Sequence, residues 1–225
     1  MYELTQGYTK SSPVNIFFKF ATPIFLVILF ISLAAKITLN AKFLYYYDID
    51  HLNIAQSVQM DKATIIKNYD LLIKYTDVSS IKELKLPDFT FSKSGLDHFK
   101  DVKNIFEKLD YAIIVSLILS IIGAAVCIKN NYVKFLKHGS LVLILLPILL
   151  AIPFMLNFNS SFIIFHKLLF TNDEWEFNPD TDPIINILPE NFFMHCAFLL
   201  LGILVIFSIL QFILYKILSK KAADY

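Results

Sequence analysis

The chain has 225 residues, of which 56% are hydrophobic, and its formal net charge is +1 at pH 7. This charge excludes a bulk basic field that would attract nucleic acid. The apolar residues form long blocks, which is typical of membrane-spanning proteins rather than of soluble domains. Cys127 and Cys196 lie in or beside these blocks, and we expect no disulfide between them.

Four stretches are long and apolar enough to cross a bilayer, which requires about 20 residues of helix. We predict these spans at about residues 17–39, 111–128, 141–156 and 192–215. The first is too long for the core of a cleavable signal peptide, so we expect it to remain in the mature chain. The sequence therefore predicts an all-α membrane protein with four transmembrane helices.

Two long connections, at about residues 40–110 and 157–191, separate these spans. In the first, residues 62–77 have apolar side chains at helical spacing, and Asp61 is a suitable N-cap. Residues 99–110 predict a second short helix that runs into the second span. We expect the two connections to form a small cap on one integral membrane domain, residues 1–225.

The charges near the spans predict the orientation. Residues 129–138 carry three lysines and no acid, the C-terminal tail is basic, and Lys10 and Lys19 flank the first span. Residues 157–191 instead carry six acids and one lysine. Because short cytoplasmic segments are enriched in lysine, both termini should be cytoplasmic and the cap extracytoplasmic.

Three of the five histidines have simple structural interpretations. His51 lies near the start of the first long connection, has polar neighbours, and is expected to be a solvated surface residue. His138 lies in the cytoplasmic loop, where an interfacial charge is expected. His195 lies near the start of the fourth span, where a structural hydrogen bond is the simplest interpretation.

His98 and His166 are the candidates for chemistry. His98 lies shortly before the chain enters the second span, and His166 lies shortly after the third span. Both should therefore lie near the outer interface, on separate loops above one bundle. Asp101 shares a helical face with His98 and could fix the tautomer of the imidazole. Two unrelated interface histidines are the alternative interpretation.

Four blocks of sequence carry a family resemblance: NYDLLIKY (68–75), LPDFTFS (86–92), HFKDVKNIF (98–106) and FHKLLFTNDEWEFNPDTDPIINILPENFF (165–193). They closely resemble the lipoprotein intramolecular transacylase family, whose members are four-span bacterial membrane proteins. The resemblance covers nearly the whole chain. It implies a multi-pass protein of the bacterial cytoplasmic membrane with its active site at the extracytoplasmic face.

The resemblance also implies an activity. Such acyltransferases move the sn-2 acyl chain of a lipoprotein's S-diacylglyceryl group to the α-amino group of its N-terminal cysteine. The product is an N-acyl, S-monoacylglyceryl (lyso-form) lipoprotein. The family's two catalytic histidines match His98 and His166. The implied partners are diacylglyceryl-modified lipoproteins and membrane lipids, without nucleic acid, and we expect a monomer that needs no cofactor or metal.

The residues suit this chemistry. The substrate amine has a pKa near ~8 and needs a base at neutral pH, and histidine has a reference pKa of ~6.5. We hypothesise that one histidine, His166 by preference, is the base, and that His98 polarises the ester carbonyl and acts as acid. The chain has no G-x-S-x-G or H-E-x-x-H motif. Because the substrate amine attacks, no covalent acyl-enzyme is needed.

Other polar residues have supporting roles as one interpretation and solvated or capping positions as the other. Those that could orient the histidines or hold the substrate ammonium are Asp101, Asn172, Asp173 and Asp182. Trp175 is expected to anchor its loop at the membrane interface rather than to bind substrate. Lys103 and Lys167 could meet a lipid phosphate or a nearby carboxylate.

Two other functions remain open on the residues alone. One is a metal-dependent membrane hydrolase, in which His98, Asp101 and His166 would be zinc ligands. The other is a non-catalytic lipid-binding envelope protein, in which the paired histidines would sense pH.

Overall fold

A computed structural model describes residues 12–223, and every regular element in that range is a helix. Lys10 and the last two residues of the basic tail, which were used to predict the orientation, lie outside the described residues. The helices are α1 (Pro13–Asn40), α2 (Lys42–His51), α3 (Ile54–Ser57), α4 (Lys62–Asp77), α5 (Lys93–Lys129), α6 (Lys134–Leu156), α7 (Phe158–Leu169), a 3-10 helix (Pro183–Ile187) and α8 (Glu190–Ala223).

Four of these helices, α1, α5, α6 and α8, are long and apolar enough to cross a membrane. α1 packs against α5, α6 packs against α8, and α1 also contacts α6 and α8. The prediction of an all-α membrane protein with four transmembrane helices is confirmed. The helices extend beyond the predicted spans, so that His138, which was expected in a loop, lies on α6.

α5 is a single helix of 37 residues. At about 1.5 Å per residue it is ~55 Å long, whereas the hydrocarbon core of a bilayer is only ~30 Å thick. Its charged N-terminal part, residues 93–110, therefore lies outside the membrane-spanning segment. The short helix predicted at residues 99–110 is thus part of the N-terminal half of the same rod that crosses the membrane.

Small and polar side chains allow close contact between the spanning helices. Gly123 on α5 lies directly against the buried Thr22 on α1. Between α6 and α8, Gln211 donates through Nε2 to the carbonyl of Leu136 at 3.0 Å. Because lipid is as apolar as the side chains, close packing and such hydrogen bonds hold the helices together.

A second core, outside the four-helix bundle, is built by residues from both long connections. The rings of Tyr45 and Tyr69 stack with centroids 3.8 Å apart, and Phe192 meets Tyr45 edge-on at 4.9 Å. The Tyr45 hydroxyl donates to the carbonyl of Ile187 at 2.7 Å. Residues 40–110 and 183–192 therefore pack as one unit.

Ionic contacts join this unit to the bundle. Lys36 on α1 lies 2.6 Å from Asp77 on α4 and 2.8 Å from Asp110 on α5. Lys103 is buried and donates to the carbonyls of Tyr75 and Val78 at 2.6 and 2.7 Å. Lys103, which was considered as a contact for lipid phosphate or a nearby carboxylate, therefore caps the C-terminal end of α4, and its Nζ lies 3.7 Å from a carboxylate oxygen of Glu107.

The predicted start of α4 agrees with the structure. Asp61 is its N-cap and accepts a hydrogen bond from the Thr64 amide at 2.9 Å. A local capping interaction of this kind is recognisable from sequence because donor and acceptor are three residues apart.

The contact between α1 and α5 gives a testable prediction. A methyl group added at Gly123 overlaps Thr22, whereas one added at Gly202 on α8 meets nothing within 4 Å. We expect Gly123→Ala to lower the free energy of unfolding by about 1–3 kcal/mol through overpacking. Gly202→Ala, the matched control, should be neutral or stabilising by up to ~1 kcal/mol. Unfolding in detergent micelles measures both, and equal effects would contradict this packing.

Candidate active site

The structure brings His98 and His166 together. His98 lies on α5 and His166 on α7, and their ring centroids are 6.0 Å apart. Both histidines were expected on loops, but both lie on helices. α7 forms because Asn157 caps it, accepting from the Ser160 amide at 2.9 Å. Only 7% of His98 and 9% of His166 is exposed.

Aromatic rings enclose both imidazoles. The ring-centroid contacts are His98 with Phe170 (4.9 Å) and Phe177 (5.3 Å), and His166 with Phe162 (4.1 Å), Phe170 (5.8 Å) and Trp175 (4.8 Å). The sequence interpretation did not single out these phenylalanines. Three of the residues, Phe162, His166 and Phe170, are four residues apart, which places them on the same side of a helix.

The enclosure changes the ionisation of both histidines. Burial lowers the pKa of His98 to about 4; the neighbouring His166 contributes in the same direction, and Asp101 opposes it. Burial also lowers the pKa of His166, against a hydrogen bond to the Phe162 carbonyl that favours the charged form. Because apolar surroundings disfavour imidazolium, both rings are neutral at neutral pH.

Hydrogen bonding fixes the tautomer of His166. Its Nδ1 lies 2.8 Å from the Phe162 carbonyl oxygen, which can only accept. Nδ1 therefore carries the hydrogen, and Nε2 of the neutral ring keeps a lone pair. The Nδ1 atom of His98 is buried and has no hydrogen-bond partner within residues 12–223.

Asp101 and Asn172 form a link between α5 and the segment that follows α7. Asn172 donates through Nδ2 to Oδ2 of Asp101 at 3.0 Å, and its own Oδ1 accepts from the Glu174 amide at 3.2 Å. The sequence suggested that Asp101 hydrogen-bonds His98, but its carboxylate bonds Asn172 instead. Asp101 thus acts on His98 through its charge and through the position of the segment.

Asp182 holds the beginning of α5. It is 2% exposed, and its Oδ1 accepts from the Ser92 amide at 2.8 Å. Gly95 lies against the same carboxylate, where a larger residue would overlap. Asp182 therefore positions the helical turn that precedes His98. Asp173, by contrast, is exposed, and its side chain makes no hydrogen bond to the described part of the chain.

Trp175 is partly exposed and packs against the histidine cluster. Its ring lies against His166, and its indole Nε1 is buried without a hydrogen-bond partner among residues 12–223. Buried polar atoms are normally paired, so each exception calls for a physical explanation. Lys167, the neighbour of His166, is exposed.

His195 and His51 do not join this cluster. His195 lies 2.9 Å through Nδ1 from both carboxylate oxygens of the buried Asp48, which agrees with the structural hydrogen bond expected for it. His51 is exposed, as expected. Within residues 12–223, no group of three His, Cys, Asp or Glu side chains is arranged to hold a metal ion.

The Asp101–Asn172 hydrogen bond can be tested with a substitution that replaces the attraction between the two side chains by repulsion. Asn172→Asp places a carboxylate against Asp101 while keeping the acceptor for the Glu174 amide, so repulsion should release the segment. Because Trp175 is the only tryptophan, its fluorescence reports the segment directly. We expect a red-shifted emission and a loss of stability of ~1–3 kcal/mol. Asn178→Asp, an exposed position in the same segment, is the control and should leave the emission unchanged.

Acid should destabilise the protein through His98. The unfolded chain takes up this proton near pH ~6.5 and the folded chain only near pH 4. The unfolded state therefore binds more protons between these values, so stability is complete above pH ~6.5 and falls as the pH decreases. The loss approaches ~3 kcal/mol, because one pKa unit corresponds to ~1.36 kcal/mol.

Unfolding measured at several pH values checks this. His98→Asn should reduce the slope between pH 6.5 and 4, whereas His138→Asn, at an exposed position, should not. Equal slopes for the two variants would contradict the burial of a neutral His98.

Comparison with known proteins places the chain in a family. The family model for lipoprotein intramolecular transacylase Lit matches residues 20–193. A search of curated protein sequences returns no match. The in meso structure of the membrane-integral transacylase Lit from Bacillus cereus superposes with a TM-score of 0.91 at 40% sequence identity, covering 94% of this chain and 99% of that one.

Two variants of the Bacillus cereus transacylase are also similar. In one a histidine is replaced by arginine and in the other by alanine, and both superpose with a TM-score of 0.84 at 39% identity. Each covers 94% of this chain, which in turn spans 94% and 96% of theirs. The protein is therefore a member of the lipoprotein intramolecular transacylase family and a multi-pass membrane acyltransferase.

Proposed function

We propose that the enzyme moves the sn-2 acyl chain of a lipoprotein's S-diacylglyceryl group from glycerol oxygen to the α-amino group of the N-terminal cysteine. The product is the N-acyl, S-monoacylglyceryl lyso form. The observation that supports this most directly is the buried pair of neutral imidazoles, with Nε2 of His166 available as an acceptor. A pair of bases in apolar surroundings suits an amine that attacks an ester.

The apolar surroundings act first on the substrate amine. In water its pKa of ~8 leaves it mostly protonated at neutral pH. Burial among aromatic rings disfavours the ammonium form, so the amine is uncharged when it reaches the site. It then attacks the acyl carbon, and its nitrogen becomes acidic in the tetrahedral intermediate.

His166 is the base in this proposal. Its Nδ1 hydrogen is engaged by the Phe162 carbonyl, so Nε2 takes the proton from nitrogen. The resulting imidazolium then returns that proton to the glycerol oxygen as the ester bond breaks. Acid and base work of this kind typically contributes ~10²–10⁴ in rate.

His98 polarises the ester carbonyl through its single N–H. The sequence hypothesis also gave it the role of acid. With a pKa of about 4 it is neutral, and giving up its remaining proton would require an imidazolate. Returning the proton through His166 avoids this. Holding the glyceryl arm folded towards the amine supplies much of the remaining rate enhancement, since effective molarities reach ~10⁵ M and above.

We place the site at the extracytoplasmic face of the bacterial cytoplasmic membrane, beneath a cap of residues 40–110 and 157–191, with both termini cytoplasmic. The charge distribution supports this orientation. α7 bears on the depth of the site rather than on its side of the membrane: His166 faces inward, whereas Ile164 and Leu168 are 59% and 80% exposed, as suits contact with lipid. A lipid-anchored substrate therefore meets the histidines where α7 lies against the lipid.

The test is expression in a bacterium whose lipoproteins are diacylated and have free amino termini. Tandem mass spectrometry of one N-terminal lipopeptide locates each acyl chain. Wild type should give the N-acyl lyso form at unchanged total mass, and His98→Ala and His166→Ala should each lose at least ~10²-fold in rate. His138→Ala, at the opposite end of the bundle, is the matched histidine control and should retain activity.

Three other results would each be decisive. An untouched diacyl peptide, from wild-type protein shown to be folded and inserted, would reject the transacylation. Loss of one acyl mass would identify a hydrolase. Full activity of either histidine variant would remove that residue from the mechanism.

A further inference from the structure

We propose that Trp175 is a third catalytic residue, whose indole N–H donates a hydrogen bond to the acyl oxygen while that oxygen carries the negative charge of the tetrahedral intermediate. The inference rests on the proposed function, because it assigns an additional donor to the same reaction. It also differs from the role of interface anchor that the sequence suggested for this residue.

The indole nitrogen carries the first part of the argument. Nε1 of Trp175 is buried and has no hydrogen-bond acceptor within residues 12–223. Its ring centroid lies 4.8 Å from that of His166, so the indole packs against the ring of the base. An indole N–H can donate a hydrogen bond but cannot accept one, so a buried indole N–H is suited only to a partner that is a hydrogen-bond acceptor.

The proton balance of the reaction shows why such a donor is needed. The amine nitrogen forms a bond to the acyl carbon, and the carbonyl π electrons move onto oxygen. His166 removes one proton from nitrogen, the C–O bond to glycerol breaks with its electron pair, and the glycerol oxygen receives the same proton. The oxyanion re-forms the carbonyl in the same step that breaks this C–O bond. The acyl oxygen never gains a proton, so it requires donors that keep theirs.

His98 and Trp175 together meet this requirement. A neutral imidazole offers one N–H, and oxyanion sites commonly use two donors directed at the developing charge. Unlike a histidine, tryptophan does not titrate in water, so it does not compete with His166 for the transferred proton. The two donors come from different elements, His98 from α5 and Trp175 from the segment after α7, and each ring lies close to that of His166, with centroids 6.0 and 4.8 Å away.

A donor of this kind must be held in place before the charge develops. The segment that carries Trp175 is joined to α5 by the Asn172–Asp101 hydrogen bond of 3.0 Å. Two residues after Trp175, Phe177 packs against Phe99 with centroids 5.3 Å apart. Both contacts fix Trp175 to the same helix that carries His98.

The experiment replaces only the N–H. Because Trp175 is the single tryptophan, the chain can be made with β-(3-benzothienyl)alanine there, which keeps the bicyclic shape and has sulfur in place of N–H. We expect kcat for conversion of a synthetic diacylglyceryl lipopeptide to fall ~10²–10³-fold, with little change in KM or melting temperature. The matched control, 5-fluorotryptophan at the same position, keeps the N–H and should keep the activity.

A second measurement uses the unaltered side chain and does not depend on how a variant folds. With ¹⁵N-labelled tryptophan, the indole N–H resonance should move downfield when a lipopeptide with a phosphonate in place of the sn-2 ester binds. A resonance that is unchanged by binding, or a benzothienyl enzyme with full kcat, would overturn the inference and leave the transacylation intact. Wild-type enzyme that forms no N-acyl product would instead reject the proposed function itself.

Discussion

His98 and His166 stay uncharged because aromatic rings keep water away from both imidazoles. This desolvation determines much of what the site can do. It leaves a lone pair on His166 and prevents His98 from becoming an imidazolium, and in the proposed reaction it also disfavours the protonated form of an incoming amine. The same burial costs stability in acid, which links the ionisation of the site to the folding of the protein.

The remaining structure serves to hold this pair in an environment that the bilayer alone could not provide. α5 supplies His98 and α7 supplies His166, and the segment between α7 and α8 closes over both. Two carboxylates on different elements fix that segment: Asp101 binds Asn172, and Asp182 binds the amide of Ser92. Rigid positioning of this kind is what proximity and preorganised hydrogen bonds require for catalysis.

The sequence predicted the features that depend on short-range pattern. The four spans are long apolar runs, and the Asp61 cap involves residues three apart. The resemblance, rather than spacing, paired His98 with His166. Partners that depend on tertiary packing were not foreseen: Lys103 binds carbonyls of α4, and Trp175 has a buried nitrogen. α7 was not predicted although Phe162, His166 and Phe170 have helical spacing, because the polar residues that follow it indicate a loop.

The unbroken course of α5 has a consequence for the host membrane. A single rigid rod carries both the spanning segment and His98, so the depth of His98 is set by how the rod fits the bilayer. When the bilayer is thinner than the apolar segment of α5, the helix tilts, and its projecting end moves sideways and towards the membrane surface. His166 lies on the separate α7, and the segment after α7 is tied to α5 by the Asn172–Asp101 hydrogen bond, so the movement of the rod is passed on to the surroundings of both histidines. Lipid chain length therefore bears on the depth at which the histidine pair lies.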